Sequence, residues 1–315
     1  MDIPVLLLVF NRPHLLKTQI DALRMVEPSK VFVSADGARQ NRKDDEELCL
    51  KVRKVIESEI NWDCEIKTRY LEKNYGCGVA PSSGISWFFD HVEEGIILED
   101  DCIPHITFFQ YVSELLNRYR DDEQIMSING GHFPIEKVSS LPKSSYFFSH
   151  YPHLWGWATW KRAWKHFSFE LPTLSNDMEC NAFFGDIVEN SRAISDWKKK
   201  FSSVANGDRR DIWDYQWVYA CWKKRGLSIL PTVNMVENIG FGEDSTHTFN
   251  KENYDVLPVE PMSFPLNHPK DKTVNRVVED SIEREVFLRK GIWNVAKYQI
   301  EKFLPKQIIK ALKGR

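Results

Sequence analysis

Apolar runs alternate with helix-like stretches across the first hundred residues. Strand-like runs lie at 3–10, 30–35, 64–70 and 95–98, and helical patterns lie between them at 14–25, 39–60 and 82–91. Such alternation predicts an α/β fold with a doubly wound, mostly parallel sheet. In sheets of this kind ligands bind at the carboxyl ends of the strands, so the residues that follow each run are the first candidates for a functional site.

Composition supports a folded globular chain. Of 315 residues, 42% are hydrophobic and 28% are charged, which excludes wholesale disorder. No apolar run approaches the roughly 20 residues of a spanning helix, and the early run at 5–10 is too short for a signal-peptide core. The six cysteines have no metal-binding spacing, so reduced thiols are expected. We therefore expect a cytoplasmic protein.

Charge is unevenly distributed along the chain. Residues 286–315 contain eight Lys or Arg and one Glu, a net charge of +7, which leaves −10 for residues 1–285 of a chain with net charge −3. A body this acidic argues against general nucleic-acid binding. The basic segment has amphipathic helical spacing. It is interpreted either as an interfacial helix on anionic lipid or as a helix packed on the body with solvated lysines.

Three successive carboxylates, Glu99, Asp100 and Asp101, close the fourth strand-like run. Adjacent carboxylates repel one another unless a cation or hydrogen-bond donors compensate them. A divalent metal with oxygen ligands is one such compensator, and a solvated acidic turn is the alternative. The position of the triplet at the end of a buried strand strengthens the metal interpretation.

Other candidates follow the first two runs or lie near residue 247. Asp36 ends the second run and suits either a contact to a base or ribose, or an ordinary Asp-Gly turn. Asn11 and Arg12 follow the first run and suit either a nucleotide contact or a helix entry before proline. His247 lies in a glycine-rich segment, as either a metal ligand or a structural histidine.

The middle of the chain is rich in tryptophan, with eight of eleven tryptophans between Trp155 and Trp222. Trp155 and Trp157 could stack on sugar faces or belong to the core. Asp211 and Asp214 lie among these aromatic residues at the start of a predicted helix. A partly desolvated carboxylate there suits proton abstraction, and helix capping is the plain alternative.

The order of these features resembles the GT-A class of nucleotide-sugar glycosyltransferases. The stretch from Ile96 to Tyr111, with its acidic triplet, Pro104 and the Phe-Phe-x-Tyr sequence at 108–111, is most similar to the N-acetylglucosaminyltransferase I type, in a bacterial member. The resemblance covers roughly residues 3–250. It implies a nucleotide-sugar-binding donor half at 1–125, an acceptor half at 126–250, an extended wrapping segment at 251–285 and a basic amphipathic tail at 286–315.

The resemblance also implies site residues and their roles. Asp214, or in competition Asp211, would be the general base, and Asp101 with His247 would ligate Mn²⁺ or Mg²⁺. The acceptor would contact Trp155, Gly156 and Trp157. The donor would contact Phe10, Asn11, Arg12, Asp36, Asn74, Glu99 and Asp100.

The sequence thus predicts a metal-dependent inverting glycosyltransferase. It would move a sugar from a nucleoside-diphosphate donor, expected to be a UDP-sugar, to a hydroxyl of a glycan or lipid-linked glycan in bacterial surface polysaccharide assembly. Its expected location is the cytoplasm, peripherally on the inner face of the plasma membrane, with no nucleic-acid partner. The alternatives are a non-catalytic carbohydrate-binding protein and a sugar-1-phosphate nucleotidyltransferase, although the latter expects a glycine-rich loop after the first strand.

Overall fold

A computed structural model describes residues 1–135, 141–173, 182–240 and 257–288. The predicted α/β fold with a mostly parallel central sheet is confirmed. Eight strands form this sheet, and two short ones pair separately. The strands are β1 (Val5–Val9), β2 (Lys30–Ala35), β3 (Glu65–Tyr70), β4 (Glu94–Glu99), β5 (Cys102–Pro104), β6 (Ile125–Asn129), β7 (Tyr146–Ser149), β8 (Trp157–Trp160), β9 (Leu227–Pro231) and β10 (Val236–Asn238).

Helices connect and cover the strands. They are α1 (Pro13–Arg24), α2 (Asp45–Glu59), α3 (Gly76–Phe89), α4 (Ile106–Arg118), α5 (Lys161–Trp164), α6 (Ser191–Ala205), α7 (Asp214–Lys223) and α8 (Arg276–Ser281), the last continuing as a π-helical segment (Ile282–Leu288). Two predicted starts were wrong. Helix α2 begins at Asp45 rather than near residue 39, and α3 begins at Gly76, within the segment expected to be a loop.

The sheet has the strand order β3-β2-β1-β4-β8-β6-β9-β7. Only β8 and β7 run opposite to the other six strands. From β1 the chain first builds outward through β2 and β3, then returns to add β4 on the other side of β1. The loops after β1 and β4 therefore diverge and leave a crevice between them, which is the topological switch point where ligands bind in such sheets.

Two hydrophobic cores lie on opposite faces of the sheet. In β1 the side chains alternate, with Leu7 facing α1, α2 and α4 while Leu6 and Leu8 face α3 and the aromatic helices α6 and α7. Burial on both faces explains the continuous apolar run Val-Leu-Leu-Leu-Val. The edge strand β3 carries charged residues instead, as exposed edges commonly do.

The helix α8 docks on the sheet through a buried carboxylate. Glu279, 2% exposed, accepts hydrogen bonds from Ser149 Oγ at 3.0 Å and from the backbone N–H of His150 at 2.6 Å. One turn later, Glu283 accepts a hydrogen bond from the hydroxyl of Tyr151 at 2.9 Å. These contacts, which the sequence analysis missed, tie the end of the described chain to the region after β7.

Most of the basic tail at 286–315 lies outside the described residues, and so does the segment that contains His247. Among the described residues, no helix has the length and apolar character needed to cross a lipid bilayer.

Candidate functional site

The switch-point crevice is lined by the residues that follow β1 and β4. Arg12 extends from the end of β1, and its Nη1 donates to Asp100 Oδ1 at 3.1 Å and to Asp101 Oδ2 at 3.0 Å. The three side chains are only 10–14% exposed, so these ion pairs are shielded from solvent. The structure therefore brings together Arg12 and the acidic triplet, which are separated by almost ninety residues in sequence.

A buried glutamine forms hydrogen bonds with the backbone of the acidic turn. Gln19, on α1, donates from Nε2 to the carbonyl oxygens of Glu99 and Cys102. The carboxylate of Asp100 also accepts from the backbone N–H of Phe10. The end of β1, the end of β4 and α1 thus form one hydrogen-bonded unit, and the predicted contact residues Phe10 and Asp100 are part of it.

Negative charge exceeds positive charge in this crevice. Burial raises the pKa of Glu99 well above its usual range, and the carboxylates of Asp101, Asp100 and Asp214 raise it further. Burial also raises the pKa of Asp100, against the opposing effect of Arg12. One guanidinium does not compensate the carboxylates, and an added cation would relieve their repulsion.

The carboxylates fit a divalent ion in chemical type. Their oxygens are the hard ligands that Mg²⁺ and Mn²⁺ prefer, and the excess negative charge favours a cation. Within residues 1–135, 141–173, 182–240 and 257–288, no group of three or more His, Cys, Asp or Glu side chains is arranged to hold a metal by itself. Metal binding by Asp101 therefore stays a prediction.

Asp36 lies at the carboxyl end of β2 and organises the start of α3. Its Oδ1 accepts from the N–H groups of Gly37 and Tyr75, and its Oδ2 accepts from Gly76 N and Asn74 Nδ2, all at 2.9 Å. Burial raises the pKa of Asp36, while the hydrogen bonds from the backbone oppose that increase. Asp36 and Asn74 therefore contact each other. A direct contact of either residue with a nucleoside stays a prediction.

Asn11 belongs to a second network, centred on Asp45 at the start of α2. Its Nδ2 donates to Asp45 Oδ1 at 2.9 Å. Arg39 also binds Asp45, through Nη2 at 2.9 Å and through Nε and its backbone N–H. The guanidinium of Arg39 lies over the ring of Phe10, with 5.1 Å between Cζ and the ring centroid. The hydrogen bonds from Arg39 are the main reason that the pKa of Asp45 is lowered.

The structure distinguishes the two candidate bases by their surroundings. Asp211 is exposed and pairs with Arg209 at 2.8 Å. Asp214 is the first residue of α7 and is half-buried, with an Oδ1 that solvent does not reach. Its charge is among those that raise the pKa of Glu99. Of the two candidates, Asp214 is therefore the one more shielded from solvent.

A close backbone contact joins the two halves at this point. A β-carbon at Gly78, in the first turn of α3, would overlap the carbonyl oxygen of Arg210 and approach Ile212 N to 3.0 Å. Cys77 beside it is influenced by charges from both halves. Burial raises the pKa of its thiol, and the carboxylates of Asp211 and Glu99 raise it further. The start of α3 thus lies against the segment that leads into α7.

The strand pair β5–β10 places another glycine beside the acidic triplet. Ile239 N donates to the carbonyl of Asp101 at 2.9 Å, and a β-carbon at Gly240 would overlap the Asp101 carboxylate. Only glycine allows the backbone to approach this carboxylate so closely. His247, the second predicted metal ligand, lies outside the described residues, so its role stays a prediction.

The three predicted acceptor contacts differ in accessibility. Trp155 is half-buried, with its ring edge-on to His153 at 5.2 Å. Trp157 is 1% exposed and stacks on Trp213 within the core, with 5.9 Å between the ring centroids. Neither face of its ring is open to a sugar. The predicted contact of Trp157 with the acceptor is therefore wrong, and the ring belongs to the core. Gly156 is buried with a φ of +63°, which favours glycine, and a side chain there would meet Val236.

Sequence reasoning missed Gln19, Arg39 and Asp45. Asp45 lies in a charged stretch where Asp44 and Glu46 look equivalent to it, and nothing in the sequence separates them. Arg39 is three residues after Asp36, in a segment that was predicted to be helical. The burial of Asp45, whose side chain is 4% exposed, is the signal that distinguishes it, and burial depends on how α2 packs.

No protein-family model matches the chain, and no curated protein matches it. Solved structures give weak similarity. One is S. aureus TarS 1-349, with 12% identity over 57% of this chain and 53% of that chain and a TM-score of 0.37. Another is an apo UDP-glucose pyrophosphorylase, with 10% identity over 73% of this chain and 90% of that chain and a TM-score of 0.38. HddC from Yersinia pseudotuberculosis complexed with GMP-PN has 10% identity over 51% of this chain and 77% of that chain and a TM-score of 0.32.

The match thus spans about half the length of the TarS structure. At these identities and TM-scores, the similarities carry no argument about function, and the description of the fold rests on the sheet topology itself.

Proposed function

We propose that the protein is a metal-dependent inverting glycosyltransferase that uses a nucleoside-diphosphate sugar, of which a UDP-sugar is the first to test. The observation that carries this proposal is the shielded cluster of Arg12, Asp100 and Asp101 at the carboxyl ends of β1 and β4, with contacts of 3.1 and 3.0 Å. Its excess of carboxylates is suited to a cation on a diphosphate. The separate carboxylate of Asp214, at the start of α7, is suited to proton abstraction.

The donor would lie in the crevice between β1 and β4. In this proposal Asn11 and Arg12 flank the nucleotide, Asp36 and Asn74 hold the start of α3 against the nucleoside, and Glu99 and Asp100 contact ribose and sugar. Arg12 keeps Asp100 and Asp101 in place, at 3.1 and 3.0 Å, before any substrate binds. Such preorganisation lowers the cost of ordering groups when the donor arrives.

Asp214 would act on the acceptor. An alcohol that attacks the anomeric carbon must lose a proton, and a half-buried carboxylate at the attacking side accepts it. Attack by the acceptor itself, without a covalent intermediate, inverts the configuration at that carbon. A divalent ion held by Asp101 and the diphosphate would stabilise the negative charge on the departing diphosphate. Asp211, which is exposed and paired with Arg209, is the weaker candidate for the base.

The loop after β1 argues against the nucleotidyltransferase alternative. Only Phe10, Asn11 and Arg12 separate β1 from α1, which begins at Pro13, and none of them is glycine. A glycine-rich loop that wraps the phosphates of a nucleoside triphosphate therefore has no counterpart here. The carbohydrate-binding alternative needs open aromatic faces, and Trp157 offers none.

The acceptor in this proposal is a hydroxyl of a glycan or lipid-linked glycan at the cytoplasmic face of a membrane. The +7 charge of residues 286–315 would attract that region of the chain to anionic lipid. Co-sedimentation with vesicles of anionic and of neutral lipid tests this part. Equal binding of the full chain and a chain ending at residue 285 to anionic vesicles would contradict it.

A thermal-shift panel of UDP, GDP, CMP and dTDP, each with Mn²⁺ or with EDTA, tests the donor and the metal together. A ligand that binds only the folded protein raises its melting temperature by mass action. We expect one nucleotide to do so with Mn²⁺ only, and the Asp101→Asn variant to lose the effect. If no nucleotide stabilises the protein in either condition, the proposed function is wrong.

A further inference from the structure

We propose that the guanidinium of Arg39 is a stacking platform for the base of the donor nucleotide. This inference rests on the proposed function, because it assigns a position to the base of the same donor. Arg39 was not among the residues expected from the sequence. Its role follows from which parts of the guanidinium are already engaged and which part stays open.

The edge of the guanidinium is held by Asp45. Nε and Nη2 both bind this one carboxylate, with Nη2 to Oδ1 at 2.9 Å, and the backbone N–H of Arg39 binds Oδ2 at 3.2 Å. Asp45 is 4% exposed and also accepts a hydrogen bond from Asn11, so its carboxylate is fixed in position. A two-point contact to an anchored carboxylate fixes the plane of the guanidinium as well as its position.

The guanidinium also lies over the ring of Phe10. The distance of 5.1 Å from Cζ to the ring centroid is typical of a cation–π contact. The side chain nevertheless stays 35% exposed. The contacts with Asp45 and Phe10 therefore hold the guanidinium in place while part of the side chain stays open to solvent.

The position of the Arg39 guanidinium matches that of a nucleoside. Phe10 and Asn11 follow β1, and Arg39 follows Asp36 at the end of β2, so all of them lie on the carboxyl edge of the sheet next to the crevice. Tyr75, 50% exposed, donates its backbone N–H to Asp36 at the same edge. Sheets of this type bind nucleotides at that edge.

Charge favours a base over a phosphate as the group on Arg39. Asp45 already neutralises the guanidinium through its two-point contact. A diphosphate would gain little from a compensated cation, whereas stacking on an arginine plane needs no net charge. The diphosphate instead belongs at the other end of the crevice, beside Asp101 and the cation expected there.

Two dissociation constants, both measured with Mn²⁺, test this proposal. The first is that of the diphosphate nucleotide that stabilises the wild type best. The second is that of inorganic pyrophosphate, which has no base. Arg39→Lys keeps the positive charge but removes the planar face. We expect it to raise the nucleotide dissociation constant roughly tenfold, the size of a lost stacking contact. The dissociation constant of pyrophosphate should change less than about twofold, because no base is present.

Arg120→Lys is the matched control. Arg120 binds Glu94 through Nε at 3.0 Å and through Nη2, in the same two-point arrangement, but Glu94 begins β4 and so lies at the opposite edge of the sheet. This variant should leave both dissociation constants unchanged. A second variant, Phe10→Leu, keeps the Arg39–Asp45 contact but removes the ring beside the guanidinium. It should raise the nucleotide dissociation constant by a smaller factor than Arg39→Lys does. It provides the test if Arg39→Lys is too unstable to measure.

The outcomes separate the two proposals. If the wild type binds the nucleotide and Arg39→Lys and Phe10→Leu bind it equally well, the stacking inference is wrong while the proposed function stands. If Arg39→Lys weakens pyrophosphate as much as the nucleotide, Arg39 contacts phosphate and the inference is also wrong. If the wild type binds no nucleotide at all, the proposed function fails and the inference fails with it.

Discussion

The half of the molecule with β1–β4 and the aromatic half, which contains α6, α7 and α8, are held together by different forces. At the carboxyl edge of β1 and β4, directional contacts between charged groups position the loops, as Arg12 does for Asp100 and Asp101. In the aromatic half, buried rings pack on one another, and Trp197 lies 4.9 Å from Trp222 and 5.4 Å from Phe201 between ring centroids. Charged contacts thus position the loops where a ligand is expected, whereas ring packing dominates on the other side, where Glu279 and Glu283 are among the few buried charges.

This difference indicates how the molecule divides its tasks. Charged groups in a shielded crevice repel each other, so they lower stability but keep a strong field for a cation and a diphosphate. Aromatic packing supplies stability without specific polar contacts. Substitutions in the crevice should therefore reduce activity more than stability, and substitutions among the aromatic residues should do the reverse.

The largest effect is expected for Asp214→Asn. Loss of a general base costs about 10²- to 10⁴-fold in rate, so kcat for glycosyl transfer should fall within that range with little change in the melting temperature. Asp211→Asn is the control. Because the ion pair of Asp211 with Arg209 is exposed, this variant should lower the free energy of unfolding by less than about 1 kcal/mol and should change kcat little. Equal losses of kcat in both variants would contradict the assignment of the base to Asp214.

Trp197→Ala tests the opposite side of the comparison. Removal of a ring that is 1% exposed should lower the free energy of unfolding by about 3–5 kcal/mol, measured by urea denaturation. Nucleotide affinity of the folded variant, measured below its unfolding transition, should match that of the wild type. A large loss of affinity with unchanged stability would show that the two halves are not separable in this way.

Glu283 gives a pH-dependent test within the aromatic half. Burial raises its pKa from about 4.5 to about 7, so the folded protein binds this proton more tightly than the unfolded chain does. The stabilisation is present below about pH 4.5 and is lost as the pH rises through 7. Glu283→Gln should thus be more stable than the wild type at pH 8 by up to about 3 kcal/mol, at 1.36 kcal/mol per pKa unit.

Gln at this position still accepts the hydrogen bond from Tyr151, so the comparison isolates the charge. Urea denaturation at pH 5 and at pH 8 measures the difference between variant and wild type. A difference that stays constant between the two pH values would argue that Glu283 does not titrate in this range.

The smallest effect in this series is expected at the junction of the halves. Gly78→Ala would push a β-carbon into the carbonyl of Arg210, and overpacking of this kind costs about 1–3 kcal/mol. Because the displaced segment leads into α7, kcat should fall while the dissociation constant of the nucleotide stays near that of the wild type. Gly207→Ala serves as the control, since a side chain there meets no neighbouring atom within 4 Å, although its φ of +80° adds some backbone strain.

Several elements could be predicted because their signals are local. The apolar run of β1 and the segment of β2 stand out without reference to the rest of the chain, and the acidic triplet marks the end of β4. The start of α3 was missed because glycine at positions 76 and 78 resembles a loop, whereas the hydrogen bonds that the N–H groups of Tyr75 and Gly76 donate to Asp36 hold that turn in place. Those bonds join residues about forty positions apart.

The sequence by itself determined the alternating pattern and hence the class of sheet, because buried strands and amphipathic helices are encoded in short-range hydrophobic periodicity. It also determined which residue types end β1, β2 and β4. Only the tertiary structure decided that Asp45 rather than Asp44 anchors Arg39, that Trp157 packs in the core, and that Asp214 is half-buried whereas Asp211 is exposed. Burial and partner choice depend on how distant elements pack, and no local pattern reports that packing.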